Sequence, residues 1–63
     1  MGMMRYKVLI NWYGEVLTFY TVTTSSDKAL HNVLRQCSKR LGRTLKSVRD
    51  YVMDEGHQRW EVK

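Results

Sequence analysis

The chain has 63 residues, no proline, a single cysteine and a formal net charge of +5. A chain this short folds as one domain with a thin core, burying roughly 60% of the surface that its unfolded form exposes. Cys37 alone excludes an intramolecular disulfide, and neither the number nor the spacing of Cys and His suits a zinc site, so a reducing, cytoplasmic setting is expected.

The longest apolar stretches, such as Val8 to Ile10, fall far short of the ~20 residues that a membrane span needs. The first residues lack the apolar segment of a secretion signal. No low-complexity tract or repeat interrupts the chain, so a single domain over residues 1–63 is expected, without a membrane partner.

"RYKVLINWYGEVLTFYTVTT" opens the chain with β-branched and aromatic residues on both sides of Gly14, the pattern of a hairpin. A two-residue turn at Tyr13-Gly14 sets Trp12 opposite Glu15, Ile10 opposite Leu17, Val8 opposite Phe19 and Tyr6 opposite Thr21. One face then gathers Val8, Ile10, Leu17 and Phe19. Lys7, Leu9, Asn11, Val16, Thr18 and Tyr20 fall on the other, which suits an open surface.

"SSDKALHNVLRQCSKRLG" changes to helical spacing. Ser25 or Ser26 caps its start, Asp27 complements the positive end of the helix dipole, and Gly42 ends it in a left-handed conformation. Ala29, Leu30, Val33, Leu34, Cys37 and Leu41 share an arc of roughly 140°. Lys28, Arg35 and Lys39 lie opposite, and Arg40 falls near the edge of the apolar arc, where its stem packs and its head stays wet.

The remainder, "RTLKSVRDYVMDEGHQRWEVK", carries two patterns. Val48, Tyr51 and Val52 favour strand, and Asp54-Glu55-Gly56 has the composition of a turn before "HQRWEV", which predicts a second hairpin pairing Tyr51 with Trp60 and Met53 with Gln58. The alternative, drawn from the spacing of Leu45, Val48 and Val52 behind a Thr44 cap, is a short helix over 45–53 followed by one strand. Either way the fold class is α+β: a small two-layer domain with an antiparallel sheet (ββαββ, or ββα with a second helix and one strand) and one main helix on one face. This order of elements resembles that of several unrelated small folds, ribosomal proteins and phage-encoded inhibitors of host enzymes among them, and a likeness of topology implies no function.

Charge is distributed unevenly. Arg5 and Lys7 balance Glu15 and Asp27 over residues 1–27, and residues 50–63 carry four acids against Arg59 and Lys63. From Lys28 to Arg49 there are seven basic residues and no acidic one. Solvation of a helix face and complementation of a helix C-terminus by Lys39, Arg40 and Arg43 account for part of this run. They do not account for the missing i,i+4 acids that usually decorate an exposed helix.

A surface for polyanions explains the rest, with Lys28, Arg35, Lys39, Arg43, Lys46 and Arg49 as the expected phosphate contacts. Asn32 and Gln36 flank the stripe as candidates for base edges. Lys7 and Tyr20 on the open sheet face carry the ingredients of a stacking platform. The more ordinary expectation for the same face is a homodimer contact, or single aromatics left exposed.

No nucleophile, carboxylate pair or Gly-rich phosphate loop has catalytic spacing, so neither an enzyme nor a cofactor or metal is expected. Cys37 on the apolar stripe is expected to be a buried thiol, and His31 and His57 to be surface residues. The function expected is non-catalytic nucleic-acid binding, DNA or RNA. The alternative is a small adaptor or inhibitor, of phage type among others, that docks on an acidic protein surface.

Overall fold

A computed structural model describes residues 2–63, so Met1 of the expected domain lies outside the described residues. The elements are β1 (Met4–Trp12), β2 (Glu15–Thr23), α1 (Ser26–Leu41), α2 (Leu45–Val52) and β3 (Trp60–Val62). The strands form one antiparallel sheet in the order β2-β1-β3. Val33, Leu34 and Cys37 of α1 and Val48 and Val52 of α2 pack with Val8, Ile10, Leu17 and Phe19 in one buried cluster. Both helices therefore cover the same face, and the domain is α+β with two layers.

The hairpin has the expected register: Trp12 opposes Glu15, Ile10 opposes Leu17, Val8 opposes Phe19 and Tyr6 opposes Thr21. Tyr13 (φ 49°) and Gly14 (φ 87°) both take positive φ, as a type I′ turn requires. Asn11 Oδ1 accepts from the Gly14 N–H at 3.0 Å and braces the turn. Tyr13 is the unusual member, because Asn or Gly normally holds its place. Its ring stacks on Tyr51 at 4.3 Å between centroids, with Trp12 edge-on to both, and its N–H donates to the Tyr51 hydroxyl at 3.2 Å.

α1 starts and stops as its sequence directs. Ser25 Oγ accepts from the Lys28 N–H at 3.3 Å. At the other end Gly42 takes φ 66°, its N–H donates to Lys39 O and the Arg43 N–H donates to Ser38 O, the pair of bonds of a Schellman cap.

The second hairpin does not form, and the helix-and-strand alternative holds. Thr44 Oγ1 accepts from the Ser47 N–H at 3.2 Å, and Val48 and Val52, four residues apart, are both fully buried. As a strand over 48–52 the same segment would also have put both valines on one face, but with Asp50 between them. As a helix it sends Asp50 out to solvent. Tyr51 stacks on Tyr13 instead of facing Trp60, and Met53 stays exposed with no strand pairing to Gln58. β3 pairs with the free edge of β1, setting Trp60 opposite Ile10 and Val62 opposite Val8.

A left-handed L-residue costs about 1–2 kcal/mol, and the aromatic contacts of Tyr13 offset about 0.5–1.5 kcal/mol of it. Removing Tyr51 should expose the strain of the turn. In a double-mutant cycle followed by urea denaturation, Tyr13→Asn is expected to stabilise the Tyr51→Leu chain by about 1 kcal/mol more than it stabilises the wild type.

Candidate functional site

The helical layer carries the acid-free span. At 100° per residue, Lys28, Arg35 and Lys39 fall within about 40° of one another, opposite the buried stripe of α1. All three are exposed, and none forms an ion pair among the described residues. Arg49 is likewise exposed and unpaired, in the last turn of α2, where it complements the helix dipole.

The other two expected contacts are partly engaged. Lys46 Nζ lies 3.1 Å from Asp50 Oδ2, an i,i+4 pair so exposed that it holds the lysine only weakly. The Arg43 guanidinium sits 5.7 Å from the centre of the Trp12 ring, turned toward the end of the hairpin. The structure thus brings four free cations and one loosely paired one onto the layer formed by the two helices, with Arg43 at its border. Arg40, whose guanidinium lies 5.4 Å over Phe19, adds a seventh basic group along the flank above β2.

Asn32 and Gln36 have another occupation. Asn32 Nδ2 donates to Thr21 Oγ1 at 3.3 Å and Gln36 Nε2 donates to Tyr20 O at 3.2 Å, tying α1 to the outer edge of β2. As base-edge readers both would have to let go of the sheet first.

The opposite face of the sheet is uncovered and presents side chains in rows across the strands. Tyr20 pairs with Lys7, and Lys7 exchanges both main-chain bonds with Lys63, so these three side chains stand side by side. The neighbouring row toward the chain start holds Val22 and Arg5, and Arg5 places its guanidinium 4.9 Å from the centre of the Tyr20 ring. The row toward the turn holds Thr18, Leu9 and Glu61. A shallow hollow of about 200 Å³ lies beyond Tyr20, with Leu9 and Val16 in its lining and Asn11, Gln58 and Glu61 among its polar groups.

Lys7 and Tyr20 are therefore neighbours, as the register requires. Arg5 and Lys63 had not been singled out. The signal for Arg5 was present in the same register, two residues from Lys7; Lys63 arrives only through the pairing of β3 with β1.

The group around Asp54 and the thiol of Cys37 serve the fold. Asp54 Oδ2 lies 3.0 Å from His57 Nδ1 and 3.4 Å from Arg59 Nη1. The hydrogen bond from His57 holds its carboxyl below the usual carboxylate range, with lesser help from the Gly56 backbone and the Arg59 charge. Arg59 also donates to Tyr51 O at 2.8 Å and lies 4.0 Å over the Tyr51 ring, closing the loop that leads into β3. Cys37 is fully buried, and burial pushes its thiol up against the smaller opposing effect of the Arg40 charge. Among the described residues no three His, Cys, Asp or Glu side chains are grouped to hold a metal ion, and no helix is long and apolar enough to cross a membrane.

The chain matches no family model, and no curated protein or solved structure shows significant similarity to it.

A buried thiol whose pKa is raised reacts slowly, because the thiolate is the nucleophile. Native protein treated with a thiol-specific disulfide reagent at neutral pH should therefore modify Cys37 at least ~100-fold more slowly than protein in guanidinium chloride, at a rate set by opening of the core.

Proposed function

We propose that this chain is a non-catalytic nucleic-acid-binding domain that grips the phosphate backbone with the cations of its helical layer. The observation that carries the reading is the stripe of Lys28, Arg35 and Lys39. These three point away from the core, have no acidic neighbour on α1 beyond Asp27 in the first turn, and are joined in the same layer by Arg49 and Lys46. Unpaired like charges on one surface repel one another, and beyond the dipole complementation by Lys39 and Arg49 at their helix ends they gain little for folding, whereas phosphates would relieve that repulsion. The contacts expected are positional, holding a backbone rather than reading bases.

A second reading is favoured by the end of the hairpin. Tyr13 is 70% exposed in a cluster with Trp12 and Tyr51, and Arg43 stands over Trp12. Tyr, Trp and Arg are the residues in which interface hot spots are richest. An adaptor or inhibitor docking on an acidic protein surface would use that end, and its complex would survive nuclease treatment. Both readings place the chain in the cytoplasm.

The first reading is tested by titrating a labelled DNA duplex with the protein at several salt concentrations. Four to five phosphate contacts give a slope of log K on log salt of about −4. Replacing Lys28, Arg35 and Lys39 together by Gln should bring the slope to about −1 and weaken binding at every sequence alike. Unchanged affinity and slope in that variant, with the fold intact by circular dichroism, would overturn the reading.

A further inference from the structure

We infer that the uncovered sheet face is a second, separate binding surface, which takes single-stranded nucleic acid by stacking a base on Tyr20 and holding the adjoining phosphates on Arg5, Lys7 and Lys63. The inference shares with the preceding proposal only the class of ligand. It concerns the opposite side of the molecule and another form of nucleic acid.

Three observations converge. The first is charge. Arg5, Lys7 and Lys63 stand in two adjacent rows with no side-chain carboxylate in either, and the nearest acid on that face, Glu61, lies one row further toward the turn. Lys7 and Lys63 are directly opposed across β1 and β3, an arrangement of like charges that weakens strand pairing. An anion bridging the two ammonium groups turns that repulsion into attraction. A phosphodiester, with its single charge and two free oxygens, suits two neighbouring donors.

The second observation is the ring. Tyr20 is 50% exposed at the end of the same row, directly beside Lys7. Its side chain is not needed by the core, which lies on the other face. Arg5 Cζ lies 4.9 Å from the ring centre and so sets a third cation beside the ring on which a base would stack. A nucleotide combines a π-face with an anion next to it, and this pairing of ring and cations is its complement.

The third observation is the hollow on the turn side of Tyr20. Rows along a strand repeat at about 6.6–6.8 Å, so a chain that stacks one base on Tyr20 carries the next over the row of Thr18 and Leu9, at the near side of the hollow that Asn11, Val16 and Gln58 also line. A duplex gains nothing from the ring, because its bases present no free π-face to Tyr20. The helical layer meets the opposite requirement: it offers charge and no exposed Phe, Tyr or Trp ring among the described residues.

The test compares a labelled single-stranded oligonucleotide with the corresponding duplex by fluorescence anisotropy at fixed low salt. The proteins are the wild type, Tyr20→Phe, Tyr20→Leu, Lys7→Gln and the Lys28, Arg35, Lys39 triple Gln variant. Tyr20→Leu should weaken single-strand binding at least ~5-fold and change duplex binding less than twofold. Tyr20→Phe, which keeps the ring, should bind as the wild type does, and Lys7→Gln should lower the single-strand salt slope by about 0.7. The triple variant should do the converse, losing the duplex and keeping the single strand.

Single-strand binding that ignores Tyr20→Leu but falls in the triple variant would overturn the sheet-face site and leave the helical-layer proposal standing. Tyr20-dependent single-strand binding without any duplex binding would do the reverse, and binding of neither nucleic acid would overturn both. Equilibrium sedimentation of the free wild type and Tyr20→Leu completes the test. A wild-type dimer that Tyr20→Leu dissociates would assign this face to a second copy of the chain and overturn the inference.

Discussion

Everything in this domain depends on the register of one hairpin. Because side chains alternate strictly along a strand, a slip of β2 by one residue against β1 would exchange Leu17 and Phe19 with Thr18 and Tyr20 and split the apolar set of Val8, Ile10, Leu17 and Phe19 between the two faces. The core and the cation-bearing face are thus two consequences of the same constraint. It resides in two residues, Tyr13 and Gly14, whose positive φ gives the turn the twist that the strands need. Gly14 takes that conformation freely. Tyr13 is held in it by Tyr51, which comes from α2 and ties the turn to the far end of the chain.

The acids and the cations are used differently. Asp27 complements the start of α1, Asp50 pairs with Lys46, and Asp54 anchors both His57 and Arg59. Several arginines lie over rings: Arg5 over Tyr20, Arg40 over Phe19, Arg43 over Trp12 and Arg59 over Tyr51. Lys7, Lys28, Arg35, Lys39, Arg49 and Lys63 have no such role among the described residues. An excess positive charge destabilises a compact chain through self-repulsion, and a chain of 63 residues has little core with which to offset it. Lys39 and Arg49 still complement the ends of their helices, so Lys7, Lys28, Arg35 and Lys63 are the ones that fold stability explains least.

How far the sequence discloses this depends on the range of the interaction that decides each element. The hairpin and α1 are written locally: alternation about Gly14 fixes the first, and Ser25, Asp27 and the glycine at 42 bound the second. The segment from 44 to 62 is not, because Val48, Tyr51 and Val52 favour strand by propensity while their burial against α1 and the sheet favours helix. Tertiary packing decides between them. The choice of partner for β3 is equally remote in sequence, since Trp60 returns to Ile10 across 49 residues of intervening chain. The site follows the same division. Lys28, Arg35 and Lys39 could be grouped from helical spacing alone, but Lys63 joins Lys7 only once β3 has paired. Asn32 and Gln36 show the converse error: from the sequence they belong to the edge of a polar stripe, and in the fold they fasten α1 to β2.

With both helices on one side, the sheet has a face that neither helix covers, and the described residues therefore present two surfaces of different chemistry. The helical layer is a field of long, mobile cations on convex cylinders, suited to a regular array of phosphates and indifferent to what lies between them. The sheet face is flat, sets its cations in fixed rows, and places an aromatic ring among them, which suits a ligand that exposes its bases. Neither surface borrows a side chain from the other, since alternation along β1 and β2 separates them at every residue. The free edge of β2 lies between the two. Gln36 reaches down from α1 to occupy Tyr20 O there, which blunts an otherwise open strand edge at the very residue whose ring faces the other way. Tyr20 is thereby held at the strand edge through its backbone, while its ring lies on the other face beside Arg5 and half exposed.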